Sequence, residues 1–261
     1  MNVPIMSELF AQGKKPEYLF YVGSAGSFDD RAKKITRSFT KILNHFNVDF
    51  AVLGTEESSL GDAAKRAGNE FVFQMAALMN IELFNGYEVK KIITTCPHNY
   101  NILKNEYSEL GGKYEVIHHT EFIDKLLSDN NIDLKDSEKL KGKTITYHDS
   151  CYLGRANGVF NSPRNILTSL KMKTVEMKSN KSTSLCCGAG GSQIFKEDEN
   201  GTERIHTKRT EEVIECKADI VASACPFCMT MLTDGVIEAK KKEEIQVLDL
   251  AEITALSLGL V

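Results

Sequence analysis

The 261-residue chain has no run approaching the ~18 consecutive apolar residues of a membrane-spanning helix, so its sequence offers no candidate span. Its opening, Met-Asn-Val-Pro-Ile-Met-Ser-Glu-Leu-Phe, lacks the charged-then-apolar order of a secretory signal. A basic stripe is missing too. The 32 Lys and Arg residues are interspersed with 36 Asp and Glu, for a formal net charge of −4, which argues against a nucleic-acid-binding module. The run Gly188-Ala189-Gly190-Gly191 comes with neither a dinucleotide fingerprint nor a Walker lysine, so it is not a nucleotide loop. What is present, 42% apolar residues in a chain of this length, fills one large domain or two compact ones and excludes both disorder and a disulfide-stapled miniprotein. These features predict a cytoplasmic protein whose thiols stay reduced.

The seven cysteines are unevenly placed. Cys96 stands alone in the first half, while Cys151, Cys186, Cys187, Cys216, Cys225 and Cys228 crowd the second. Short apolar runs at Tyr18–Val22, Asp49–Leu53, Lys91–Thr95 and Tyr114–His118 read as strands, separated by helical stretches such as Asp30–His45 and Asp62–Met79. Thr144–Tyr147, Thr174–Met177, Asp219–Ala222 and Ile245–Leu248 repeat that rhythm. The expected fold is α/β, two pseudo-repeated halves, each a small mostly parallel sheet flanked by helices. The polar stretch Ser128–Lys143 reads as the boundary, which gives a lead-in at 1–16, a first repeat at 17–135 and a second at 136–261. The halves keep register: Ser24 and Cys151 are 127 residues apart, as are Ser59 and Cys186, and Cys96 and Cys225 are 129 apart.

Cys151, Cys186-Cys187-Gly188 and Cys225-Pro226-Phe227-Cys228 each follow a predicted strand. In a parallel sheet those loops emerge at the carboxyl edge, so the five sulfurs can converge. The glycines allow close backbone packing and amide hydrogen bonds to sulfur, and a helix amino terminus at Cys225–Cys228 favours thiolate. A structural zinc site commonly takes four ligands without an adjacent pair, whereas five thiolates suit an iron–sulfur cluster. Ordinary ferredoxin spacing is absent. A thioredoxin-like pair at Cys225 and Cys228 would leave Cys151, Cys186 and Cys187 unexplained.

This order of cysteines resembles the cysteine-rich, or CCG, domain found in the B and D components of heterodisulfide reductase, and in glycolate oxidase and lactate-utilisation iron–sulfur proteins. Val22-Gly23-Ser24-Ala25-Gly26-Ser27-Phe28-Asp29-Asp30-Arg31, Arg66-Ala67-Gly68-Asn69-Glu70 and His148-Asp149-Ser150-Cys151-Tyr152-Leu153-Gly154-Arg155 resemble most the iron–sulfur oxidoreductases found beside acyl-CoA dehydrogenases and electron-transfer flavoproteins. The resemblance implies one [4Fe–4S] cluster, cubane or non-cubane, on Cys151, Cys186, Cys187, Cys225 and Cys228. It also implies a degenerate first half, because Ser24, Ser59 and Asn99 stand where such relatives carry cysteine. The implied role is an electron-transfer subunit of a multisubunit oxidoreductase. It would work between a flavoprotein or ferredoxin-type partner and a quinone or disulfide acceptor. The ferredoxin-like segment and membrane region of longer relatives are expected on a separate partner subunit, with this chain peripheral at the inner face of the membrane. A zinc-stabilised, non-redox scaffold is the alternative.

Other residues read more plainly. Cys216 is expected to be a packing cysteine on a helix. His148 is either structural at a strand end or a hydrogen-bond donor to a cluster sulfur or a proton relay. His118 and His119 form only a superficial metal pair, Arg155 a surface ion pair or anion contact, and Lys240–Glu244 a solvated helix end.

Overall fold

The computed structural model describes residues 2–130, 132, 140–197 and 200–261; half of the expected boundary at Ser128–Lys143 lies outside the described residues. The first sheet is built from β1 (Tyr18–Tyr21), β2 (Phe50–Ala51), β3 (Lys91–Thr94) and β4 (Glu115–His118), in the order β2-β1-β3-β4. β5 (Thr144–Tyr147), β6 (Lys173–Thr174), β7 (Ile220–Ser223) and β8 (Gln246–Asp249) form the second, in the equivalent order β6-β5-β7-β8. Every pairing is parallel. The predicted two-repeat α/β architecture is therefore the one observed. In each sheet the strand order reverses beside the first strand, so a crevice opens at the carboxyl ends of β1 and β3, and again of β5 and β7.

The inner strands β1, β3, β5 and β7 are mostly apolar and buried because helices cover both faces. Leu19, Phe20, Ile92, Ile93, Ile145, Ile220 and Ala222 are buried in one core that runs through both halves. Among the described residues the α-helices are α1 (Met6–Ala11), α2 (Gly23–Phe28), α3 (Ala32–His45), α4 (Asp62–Arg66), α5 (Glu70–Gly86), α6 (Pro97–Asn101), α7 (His119–Asp129), α8 (Asn161–Ser169), α9 (Ile205–Glu215), α10 (Pro226–Glu238) and α11 (Leu250–Ser257), and α3, α7, α8 and α11 are among those that pack into this core. At the seam Arg31 of the loop before α3 grips Glu252 of α11 with two hydrogen bonds, 2.9 and 2.7 Å long. His119 Nε2 lies 3.0 Å from Asp249 Oδ1, with both side chains excluded from solvent.

Three expectations change in detail. The stretch Asp62–Met79 is two helices, Asp62–Arg66 and Glu70–Gly86, because Gly68 turns left-handed at φ +85° and Asn69 caps the second helix by accepting from Val72 N. The strand expected at Thr174–Met177 pairs only over Lys173–Thr174 before leaving the sheet, and Met177 enters a satellite core with Val213 and Val221. Residues 1–16 hold a helix at Met6–Ala11, but they also extend the first sheet, with Ile5 bridging Val52.

One half-buried acid near the first crevice gives a pH prediction. Glu57 accepts the backbone N–H groups of Val22, at 3.0 Å, and Gly23, at 2.7 Å, and burial pushes its carboxyl up to about 7. Between the ordinary value of 4.5 and about 7 the folded chain then binds more protons than the unfolded one, so stability falls as pH rises through that window. A loss of about 1–3 kcal/mol is expected, and Glu57→Gln should flatten the slope. Urea unfolding at pH 5 and pH 7.5 measures it; parallel slopes for the two proteins would rule Glu57 out as the source.

Candidate metal centre

The five cysteines singled out in the second half meet at its crevice. β5 runs into His148, whose backbone N–H continues the ladder to Ala222 O at 2.8 Å, and Cys151 follows three residues later. Cys225 caps α10 (Pro226–Glu238), where Pro226 fits the first helical position because it needs no N–H partner there. Cys228 lies one turn along. The first half repeats this junction, with Cys96 capping a helix at Pro97–Asn101. Cys186 and Cys187 arrive on the long loop after β6, where Gly188, left-handed at φ +93°, donates its N–H to Cys186 Sγ at 3.3 Å.

That loop is held from three sides. Asp149 receives both Nη atoms of Arg164, at 2.8 and 2.9 Å, and the Lys181 N–H at 2.7 Å. Arg155 donates to the Ser184 carbonyl and so anchors the cysteine loop. Ser192 Oγ reaches across to the Ala63 carbonyl of the first half at 2.6 Å.

The thiols lie beside one another in the order Cys151, Cys186, Cys187, Cys228 and Cys225, each shifting its neighbour's titration, and Cys96 acts on Cys225 in the same way. Cys96 therefore touches the group from across the seam, a contact that the sequence of either half does not reveal. Cys187, Cys225 and Cys228 are all at most 3% exposed. The hydrogen bond with Cys186, and then burial, push the Cys151 thiol up, and the same causes raise Cys187. Burial alone dominates at Cys225. At Cys228 the contact with Cys187 works downward but is outweighed by Cys225 and burial. Only Cys186 is pulled down, by hydrogen bonds from Cys151 and Cys187 and by the Gly188 amide. The expected thiolate preference at the α10 amino terminus is thus overridden by burial. A low-dielectric pocket of five sulfurs carries several negative charges only with cations among them, and an all-sulfur donor set selects a soft metal.

Other candidates are accounted for outside the group. Cys216, at the carboxyl end of the helix Ile205–Glu215 (α9), is half-buried against the satellite core, its Sγ 3.5 Å from Glu176 O. His118 Nδ1 pairs with Thr120 Oγ1 at 2.8 Å and caps α7, and burial pushes its imidazole well down; His119 pairs with Asp249. His148 is fully buried and lies at the group. One ring nitrogen and the sulfurs of Cys187 and Cys228 lie within 4.8 Å of one another.

In the first half, Ser24, Ser59 and Asn99 line a cavity of about 70 Å³ together with Asp62 and His98. Ala189, Ser192 and Phe227, neighbours of the second-half cysteines, close its other side. His98 Nδ1 lies 3.1 Å from Asp62 Oδ2, and its ring stacks over Tyr152 with 4.3 Å between centroids. No spacing along the chain singles out His98, Asp62 and Tyr152, since only the facing of the two crevices brings them together.

Two equivalent parallel sheets whose crevices face one another, with thiols massed in one, define a duplicated cysteine-rich α/β protein. The CCG cysteine-rich domain matches the chain twice, over residues 18–104 and 145–233, and the chain belongs to that family. It is 44% identical over 98% of its length to the "Probable iron-sulfur-binding oxidoreductase FadF" of Bacillus subtilis, covering 36% of that protein. It is 45% identical over 92% of its length to the "EtfAB:quinone oxidoreductase" of Syntrophomonas wolfei, covering 34%. To the D component of the Methanosarcina barkeri dihydromethanophenazine:CoB–CoM heterodisulfide reductase it is 36% identical over 94% of its length, covering 60%. The chain thus spans about a third of the first two relatives. Among the described residues no helix is long and apolar enough to cross a membrane.

Proposed function

We propose that this chain is the cluster-bearing part of an iron–sulfur oxidoreductase and carries electrons singly. Cys151, Cys186, Cys187, Cys225 and Cys228 would hold one cluster of the [4Fe–4S] class. Bound there, such a cluster supplies one-electron redox chemistry at a potential set by its surroundings. The observation that carries the reading is the convergence of five thiols, three of them almost wholly buried, in one crevice of a duplicated parallel fold. The names of the relatives point the same way.

The chain's own residues supply the rest. Gly188 N–H offers a hydrogen bond to sulfur, and Arg155 and Asp149 fix the loop that delivers the adjacent pair. Phe227 lies between Cys225 and Cys228 in sequence and lines the cavity, so a small acceptor bound there would sit beside the cysteine loop. A quinone or a disulfide is the proposed acceptor class. The proposed donor side is an electron-transfer flavoprotein or a ferredoxin-like module, the latter membrane-bound, which would place this chain at the inner face of the membrane.

Anaerobic purification followed by iron, zinc and acid-labile sulfide analysis, with electron paramagnetic resonance on the same sample, tests the proposal. About four irons and four sulfides per chain are expected. Stoichiometric zinc without sulfide would establish the scaffold reading instead.

A further inference from the structure

Arg209, on α9, is wholly buried, and its Nε donates to His148 Nδ1 at 3.0 Å. Its Nη1 donates to the Ser179 carbonyl at 2.8 Å and also reaches Glu212, so the guanidinium cannot swing away. A guanidinium is a donor at every position and does not release a proton in proteins. His148 Nδ1 must therefore accept, and a neutral imidazole that accepts at Nδ1 carries its proton on Nε2. Nε2 is buried and has no hydrogen-bond partner among the described residues.

We infer that Arg209 locks His148 in the Nε2–H form, making it a hydrogen-bond donor to sulfur at the Cys187–Cys228 side of the centre and not a metal ligand. Nε2 is the nitrogen left to face the thiols, since Arg209 occupies the other. Ligation through Nε2 would require the proton to sit on Nδ1, where it would oppose the Arg209 N–H, two donors pointed at each other with no acceptor between them. The triad of His148, Cys187 and Cys228 resembles a three-ligand metal site by distance alone. Arg209 decides against it. A hydrogen bond to a cluster sulfur stabilises the more negative, reduced state and so raises the potential. Arg209 is then a positioning residue, acting through His148.

The inference rests on the proposed cluster, and its test separates the two. In wild-type protein, iron and sulfide analysis decides whether a cluster is present. In the same oxidised protein, 15N-histidine spectra should show His148 with its proton on Nε2 and a bare Nδ1; a proton on Nδ1 overturns the lock whether or not iron is found. His148→Phe should keep the wild-type iron count while the reduced-to-oxidised ratio at the wild-type midpoint falls about tenfold, about 59 mV for one electron. Loss of iron from a variant that remains folded by circular dichroism would make His148 a ligand. An unchanged midpoint would leave it structural. The wild-type spectra decide the tautomer even where the variant does not fold.

Discussion

Cys187→Ser is expected to leave the protein with less than about a tenth of its iron and sulfide, while Cys216→Ser keeps the full complement. The contrast follows from placement. Under the proposed ligand set Cys187 sits in the middle of the thiol group, with Cys186 and Cys228 on either side, and is 3% exposed. A serine there replaces a soft thiolate with a hard alkoxide whose pKa is too high for it to form in a buried site, so the metal loses a ligand and its charge compensation together. Cys216 is at the far end of α9 with its sulfur against Glu176 O, and a hydroxyl can accept or donate there without disturbing the crevice. Iron and sulfide assays on the two variants, purified side by side without oxygen, read the result. Equal losses would contradict the ligand assignment.

Asp249→Ala is expected to cost about 3 kcal/mol of stability, the largest single loss predicted outside the thiols. Asp249 is wholly buried and does two jobs. Its Oδ1 accepts the Ala251 N–H at 2.8 Å and so caps α11, in a box closed by Glu252 reaching back to the Asp249 N–H at 2.9 Å. The same oxygen lies 3.0 Å from His119 Nε2, across the seam. Alanine removes the cap, worth about 1 kcal/mol, and strands the buried imidazole, worth about 1–3 more. Asp249→Asn keeps an oxygen for the cap and should recover a good part of the loss. Urea unfolding of the three proteins checks this, and an Asn variant no better than Ala would place the cost in the charge rather than the hydrogen bonds.

The equivalence of the two halves reaches this pair as well. α7 and α11 both open with a capping box, His118 with Glu121 and Asp249 with Glu252, each at the end of the fourth strand of its sheet. One half places a histidine at the cap and the other an aspartate. The residue following the first cap, His119, then pairs with the second cap, so divergence of the repeats has produced a complementary contact between them.

Much of this was legible in the chain. The alternation of short apolar runs with longer helical ones depends on local periodicity, so all eight strands were found, with most ends within one or two residues. The register between Ser24 and Cys151 and between Cys96 and Cys225 exposed the duplication because equivalent loops of a repeat keep their spacing. The order of the five cysteines identified the crevice they share. The break at Gly68 and the short β6 were harder to read, since a left-handed turn and the loss of pairing partners depend on backbone geometry that periodicity does not encode.

By itself, then, the sequence determined the α/β class and the two repeats, because both are written in spacing along the chain, and its cysteine and glycine motifs carried the resemblance to the family. Tertiary structure alone decided which proton His148 carries, that Arg155 braces the cysteine loop, that Cys96 meets Cys225, and that the crevice with Ser24, Ser59 and Asn99 remains as a cavity facing the thiols. Arg209 and His148 are 61 residues apart, and Asp249 and His119 are 130 apart. Hydrogen-bond direction and burial are properties of groups brought together by folding, and no spacing along the chain reports them.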